Sequence, residues 1–110
     1  MPLIERSSSV LVVIDVQENF LNKLALHERL PLVSRIRWLM QVATLLGIPM
    51  IATAEDVSDE VDMCPNLKAL LPQGQSIYNK LVFSLLGQDD IREALEQLDK
   101  RDVVLVGLET

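Results

Sequence analysis

The stretch VLVVIDV, from Val10 to Val16, decides the fold class of this chain. Its residues are apolar and mostly β-branched, and Asp15 is the one polar residue among them. Such a run is typical of a strand buried on both faces, as the strands of parallel sheets are. The stretch therefore predicts a parallel sheet with helices on both sides.

The segment that follows predicts a crossover back to a second strand. Apolar residues at three- and four-residue steps predict a helix from Pro31 to about Leu46. Gly47 stands where a helix commonly ends, and Pro49 follows it. IPMIATA then predicts a second buried strand over residues 48–54.

Helical and strand patterns keep alternating to the end of the chain. They predict a short helix at 66–71, a third strand at 76–80, a helix at 88–100 and a fourth buried strand from Asp102. Strands alternating with helices predict an α/β fold with a doubly wound, Rossmann-like parallel sheet.

Length and composition indicate one globular domain. The chain has 110 residues, 49% of them hydrophobic, which is enough for one core and too little for two domains. Thr110 comes directly after a core strand, with no helix to cover that strand. We therefore expect residues 1–110 to be the N-terminal portion of a single domain whose C-terminal part is missing.

Charge and cysteine content exclude several classes of partner. The formal net charge is −6 and the sequence pI is about 4.6, so we expect neither nucleic acid nor a membrane surface as a partner. A single cysteine, Cys64, and an N-terminus unlike a signal peptide favour a cytoplasmic location.

Polar residues at the ends of the predicted strands are the candidates for chemistry, because sites of open α/β sheets form there. Asp15 interrupts an apolar run and is either a general base or a loop cap. Lys80 ends the third strand and is either a stabilising cation beside Asp15 or a solvated lysine. Gly107 permits close approach of a ligand to the backbone, or simply makes a turn.

Together these segments resemble a known family. VLVVIDVQENF, GIPMIAT, NKLVFSLL and VVLVGLET are similar, in order and spacing, to landmarks of the isochorismatase-like cysteine hydrolases. The resemblance extends from Ser9 to Thr110. Its most specific parts are the Asp-x-Gln-x-x-Phe segment and the Lys-x-x-Phe-Ser segment, which here comprise Asp15, Gln17, Phe20, Lys80, Phe83 and Ser84.

The resemblance implies a three-layer α/β/α hydrolase that cleaves an amide-, ester- or vinyl-ether-type bond in a small molecule. An Asp-Lys-Cys triad would do this, with Asp15 taking the thiol proton and Lys80 orienting Asp15 and stabilising the charged state. The thiolate would be the nucleophile. Backbone N–H groups just after the fourth strand would form an oxyanion hole.

The resemblance stops short of the nucleophile. The family motif continues past the Gly-x-x-Thr segment to a cysteine, and this chain has ended by then. Cys64 lies elsewhere and is expected to be a free loop cysteine. The 110 residues alone are therefore expected to be inactive, and the alternative function is a catalytically silent binding or interaction module on the same fold.

No metal or other cofactor is expected. Relatives that hydrolyse nicotinamide use an Asp-x-His segment and a second histidine, whereas the corresponding TAEDVSDEVDM contains no histidine. His27, the only histidine, is expected to be an isolated surface residue. Glu55 and Asp56 either line a pocket or belong to a solvated acidic face.

Three further residues are candidates for substrate contact, and one is a candidate for subunit contact. In the family, the aromatic residue after the Asp motif tends to line the substrate pocket. Gln17, Phe20 and Phe83 are therefore candidates for substrate contact. For Phe83 the alternative is core packing. Trp38 lies off the apolar stripe of its helix and either contacts a partner subunit or lies across a loop. A homo-oligomer is expected.

Two other functions on this fold fit poorly. A receiver-type signalling domain would need an acidic cluster after the first strand and a phosphoacceptor aspartate on a later one. A dinucleotide-binding domain would need a glycine-rich turn after the first strand, and VIDVQENF contains no glycine.

Overall fold

A parallel sheet of four strands forms the centre of the structure, a computed structural model that describes residues 5–55, 64–72, 77–80 and 85–108. The strand order is β3-β2-β1-β4, and every neighbouring pair is parallel. The strands are β1 (Ser9–Ile14), β2 (Met50–Glu55), β3 (Ile77–Lys80) and β4 (Asp102–Gly107). The predicted parallel sheet is confirmed.

The helices connect these strands. They are α1 (Glu18–Leu21), α2 (Leu26–Leu46), α3 (Pro65–Lys68) and α4 (Asp89–Leu98), with short 3₁₀ turns at Arg6–Ser8 and Leu85–Gly87. Gly47 ends α2 in the left-handed conformation, with φ of 71°, as its position predicted.

The start of α2 differs from the prediction. The helix begins at Leu26, and Pro31 lies inside it rather than opening it. A proline there lacks one N–H donor, but its fixed φ suits a helix. The backbone N–H groups of Glu28 and Arg29 already bond to the Ala25 carbonyl, so a helical turn has formed before the proline is reached.

Two apolar cores lie on opposite faces of the sheet. On one face, Leu11 and Val13 of β1 pack with Ile36 and Met40 of α2. On the other, Val10, Val12 and Ile14 of β1 pack near Ala94, Leu95 and Leu98 of α4. Burying a side chain of this size contributes about 1.5–3 kcal/mol. With helices packed on both faces, the doubly wound α/β arrangement is confirmed.

Strand β4 is less buried than predicted. Its residues alternate between half-buried and exposed, and Val103 and Leu105 are 47% and 55% exposed. They pair in register with Val10 and Val12, so they continue the face that α4 covers over β1. Strand β4 is at the edge of the described sheet, and these two apolar side chains are half exposed there.

One further property of the helices concerns membranes. In the parts of the chain that the structure describes, no helix combines the length and the apolar character that crossing a bilayer requires.

Candidate active site

The carboxyl ends of the strands bring the candidate polar residues to one edge of the sheet. Strand β1 lies between β2 and β4, and the chain leaves it towards β2 through α2 and returns to β4 through α4 on the other face. Ligands of doubly wound folds bind outside such a switch point. Asp15 follows β1 directly at this edge, and Lys80 is the last residue of β3.

Asp15 and Lys80 form a buried ion pair. The Lys80 Nζ lies 3.1 Å from the Asp15 Oδ2, and the two side chains are 1% and 0% exposed. Desolvating two charges costs several kcal/mol per ion, which close pairing and further hydrogen bonds offset. The structure thus joins two residues that lie 65 positions apart in sequence and two strands apart in the sheet.

Thr53 also contacts the Asp15 carboxylate. It lies on β2, between the strands that carry Asp15 and Lys80, and is 1% exposed. Its hydroxyl donates to the Asp15 Oδ1 over 2.8 Å. Sequence reasoning missed Thr53. The available signal was a hydroxyl near the end of an otherwise apolar strand, MIATA, which parallel pairing brings beside the end of β1.

The backbone of Asp15 has an unusual conformation. Its φ is 52°, in the left-handed region that non-glycine residues rarely adopt, although aspartate does so more readily than most. The Asp15 N–H donates to the Thr53 carbonyl over 3.0 Å and lies 3.3 Å from the Thr53 hydroxyl oxygen. These bonds hold the turn that follows β1.

Gln17 is a second residue that ties this turn to β2. Its side-chain oxygen accepts from the Glu55 N–H over 2.8 Å, and its side-chain nitrogen donates to the Glu55 carbonyl over 3.0 Å. Gln17 is fully buried. The Gln17 amide thus takes the place of a backbone partner for Glu55, beyond the point where the pairing of β1 with β2 ends. Direct contact of Gln17 with substrate stays a prediction.

The remaining substrate-contact candidates are two phenylalanines. Phe20 lies in α1, is half-buried, and has the Lys23 Nζ 5.1 Å from its ring centroid, within the range of a cation–π contact. Its role as a pocket wall stays a prediction. Phe83 lies outside the described residues, as does Ser84. Glu55 is exposed at the end of β2, and Asp56 lies outside the described residues.

Gly107 permits a close approach between two strands, while the approach of a ligand to its backbone stays a prediction. A Cβ at Gly107 would overlap the Ile14 carbonyl oxygen and lie 2.9 Å from the Ile14 Cβ. The end of β4 therefore packs against the end of β1, next to Asp15. The expected oxyanion hole falls partly on Glu109 and Thr110, which lie outside the described residues.

Cys64 lies in a loop position directly before α3, as predicted, and its side chain is buried. It is 3% exposed, packs in the core with Leu21 and Leu67, and precedes α3. Its N–H donates to the Val16 carbonyl over 2.7 Å, so it anchors the start of α3 to the segment after β1. An apolar environment suits a thiol, which behaves as a small hydrophobe.

His27 and the acidic residues give no metal centre in the described part of the chain. His27 is exposed on α2, as expected. Among residues 5–55, 64–72, 77–80 and 85–108, no group of three His, Cys, Asp or Glu side chains is arranged to hold a metal ion. The absence of a metal from the whole protein stays a prediction.

A wide cleft lies away from this chemistry. It has a volume of about 770 Å³ and lies near the start of β2, where Ile48, Met50, Tyr78 and Leu98 form part of its wall. Among the described residues that line it, none has a charged side chain. We therefore place the candidate site at the Asp15–Lys80 pair.

Comparison with known proteins gives a clear family match. A sequence profile described as "Isochorismatase domain" matches residues 9–110. No curated protein sequence matches the chain significantly.

Solved structures share the fold. YcaC from Escherichia coli, described as an octameric hydrolase of unknown specificity, has a TM-score of 0.82 at 17% identity, over 98% of this chain and 54% of that one. YcaC from Pseudomonas aeruginosa, solved with hexane-2,5-diol and covalent acrylamide, has a TM-score of 0.80 at 18% identity, over 96% of this chain and 52% of that one.

A third structure is more similar in sequence. MAR1 ribonuclease from Caenorhabditis elegans has a TM-score of 0.82 at 27% identity, over 96% of this chain and 53% of that one. The chain therefore spans about half the length of each of these three structures.

Proposed function

Because this chain belongs to the isochorismatase domain family, we propose that it carries two members of an Asp-Lys-Cys triad. Asp15 and Lys80 are these members, and the hydrolase they serve cleaves an amide-, ester- or vinyl-ether-type bond in a small molecule. Residues 1–110 would be the N-terminal portion of this single hydrolase domain, and the nucleophilic cysteine would lie outside them.

One observation carries the proposal: the ion pair between the Asp15 Oδ2 and the Lys80 Nζ, 3.1 Å apart and almost fully buried. Buried ion pairs are weak contributors to stability, since apolar residues of similar volume often replace them without loss. Their presence at the carboxyl edge of a doubly wound sheet therefore supports a chemical role.

The proposed reaction on an amide or ester proceeds in two stages. Asp15 accepts the proton of the cysteine thiol, and the thiolate attacks the carbonyl carbon. The bond to the leaving group breaks, and Asp15 returns the proton to that group. Water, deprotonated by Asp15, then attacks the thioester and releases the acid and the thiol. Lys80 keeps Asp15 oriented and stabilises charge as the reaction proceeds.

Cys64 is not the nucleophile in this proposal. It is buried among apolar side chains, and a thiol in that environment is poorly suited to form a thiolate. A reducing, cytoplasmic setting, which we propose for the protein, would keep its thiol reduced.

The proposed protein is a homo-oligomer that acts on small molecules without a cofactor and without nucleic-acid or membrane partners. The octameric YcaC supports the oligomer, as does the outer face of α2, where Trp38 is 62% and Leu45 is 85% exposed. RNA nevertheless belongs in a substrate screen, because MAR1 is described as a ribonuclease. We expect no RNA cleavage, since a net charge of −6 repels the phosphate backbone.

The test is a hydrolysis screen of the full protein with small amides, esters, vinyl ethers and RNA. We expect turnover of at least one small-molecule class. Asp15→Asn and Lys80→Ala should each lower kcat/KM by about a thousand-fold or more, as losses within a triad do. Asp89→Asn and Lys100→Ala serve as controls and should keep the wild-type rate. Asp89 is an exposed residue of α4. Lys100 bonds to the Ser7 carbonyl, which lies before β1, at the opposite end of that strand from Asp15.

Wild-type rates in either site variant would remove that residue from the triad. Absence of all turnover in a folded protein that still binds a small molecule would favour the silent binding module. Cleavage of RNA with the same dependence on Asp15 and Lys80 would replace the small-molecule substrate class.

A further inference from the structure

The Asp15 carboxylate is held at both of its oxygens by different strands. Oδ2 accepts from the Lys80 Nζ at the end of β3, and Oδ1 accepts from the Thr53 hydroxyl on β2. A carboxylate with one such contact can still rotate, because the terminal torsion angle of an aspartate side chain has a broad distribution. Two contacts from two strands fix the plane of the group.

The Thr53 hydroxyl is placed to act on the backbone of Asp15 as well as on its side chain. It donates to Oδ1 over 2.8 Å, and its oxygen lies 3.3 Å from the Asp15 N–H. The same N–H bonds to the Thr53 carbonyl over 3.0 Å. One residue therefore contacts both ends of an aspartate whose φ of 52° is rarely populated.

The position of Thr53 follows from the register of the sheet. Thr53 pairs with Ile14, the residue before Asp15, and Glu55 pairs with Lys80. Residues two apart on a strand share a face, and residues paired in register do so as well. Thr53 and Lys80 thus approach Asp15 from the same face of the sheet. Strand β2, which carries Thr53, lies between β1 and β3.

We propose that Thr53 is a positioning residue for the proposed hydrolase, and that its hydroxyl sets the orientation of the Asp15 carboxylate for proton transfer. The inference rests on the proposed function, since it assigns Thr53 a part in the same site. Proton transfer depends on hydrogen-bond geometry before anything else. A carboxylate that has rotated about its terminal torsion presents its lone pairs to the wrong point, even when Lys80 still neutralises it.

The experiment compares Thr53→Val with Thr53→Ser in the full protein. Valine keeps the branched shape and removes the hydroxyl, whereas serine keeps the hydroxyl. We expect kcat of Thr53→Val to fall by about 10- to 100-fold, the effect of losing a hydrogen bond to a charged group, with KM within about twofold. Thr53→Ser should recover most of kcat. A residue with a merely structural role would give no such separation of kcat from KM and no rescue by serine.

Thr44→Val is the matched control. Its hydroxyl donates to the Met40 carbonyl within α2, away from the site, so kcat should stay at the wild-type value. A kcat of Thr53→Val within twofold of wild type, or equal losses in the valine and serine variants, would overturn the inference.

A crystal structure of Thr53→Val separates this inference from the proposed function. We expect the Asp15 carboxylate to rotate away from its wild-type plane while the Lys80 contact persists. An unmoved carboxylate would overturn the positioning role whatever the activity shows. If the wild-type protein hydrolyses nothing, the proposed function fails. The crystal structure of Thr53→Val still decides whether the Thr53 hydroxyl orients the Asp15 carboxylate.

Discussion

The side-chain amide of Gln17 bonds to both backbone groups of Glu55, accepting from its N–H over 2.8 Å and donating to its carbonyl over 3.0 Å. Parallel strands normally satisfy such groups with the backbone of a neighbouring strand. Beyond Ile14 the backbone of β1 turns away at Asp15, so a side chain supplies the pairing instead. Gln17 thereby extends the sheet by one residue at the edge where the site lies.

Replacing this amide should destabilise the protein. Gln17→Leu removes both bonds and leaves two backbone groups of Glu55 without those partners, which should lower the free energy of unfolding by about 2 kcal/mol. Urea denaturation measures the change. Gln41→Leu, on the exposed side of α2, is the control and should change stability by less than about 0.5 kcal/mol. Equal effects of the two substitutions would show that the Gln17 bonds add nothing.

The ion pair should show strong coupling between its partners. Asp15→Asn and Lys80→Met should each cost about 3–5 kcal/mol, because each removes one partner of a buried ion pair. The double variant should lose clearly less than the sum, since neither charge is then left alone. A double-mutant cycle of chemical denaturation measures the coupling.

The same cycle on the pair between Arg92 and Asp89 is the control. These groups lie 2.9 Å apart, but their side chains are 45% and 80% exposed. Solvent screens such pairs, so the coupling should be no more than about 1 kcal/mol. Additive losses at Asp15 and Lys80 would contradict a direct buried interaction between them.

Two glycines should respond differently to alanine. Gly107→Ala places a Cβ against the Ile14 backbone, so β4 must move away from β1. Gly47→Ala meets no atom within 4 Å, so its cost should be limited to the left-handed backbone, about 1–2 kcal/mol. Thermal melts should therefore rank Gly107→Ala as the more damaging change, and the reverse order would contradict the close approach.

The outer face of α2 should decide the assembly state. In the proposed homo-oligomer, Trp38→Glu and Leu45→Glu should lower the mass measured by light scattering, because they place charge on exposed apolar positions of one helix. Leu86→Glu, at an exposed leucine outside that helix, is the control. If neither α2 substitution changed the mass, the subunit contact would have to lie on another surface.

Sequence alone predicted the strands that carry the site and the sheet edge where it lies, because both depend on simple rules. Buried apolar runs indicate parallel strands, and parallel strands end at a common edge. That reasoning placed Asp15 and Lys80 together, and the structure brings them into contact.

The finer parts of the site depend on register and side-chain direction, which the local pattern does not determine. Thr53 reaches Asp15 because it pairs with Ile14, and Gln17 reaches Glu55 only because Asp15 turns the chain. The half exposure of Val103 and Leu105 likewise depends on which segments pack over β4. Packing between distant segments decides each of these features.

The ion pair also has a consequence for the order in which the chain folds. Its partners are 65 residues apart, and closing a loop of that length costs about 4 kcal/mol of chain entropy. Asp15 and Lys80 never become neighbours through local structure, because β2 must lie between their strands first. The candidate site therefore exists only in molecules that have assembled β1, β2 and β3 together, and a partly folded chain lacking β3 has no Asp15–Lys80 ion pair.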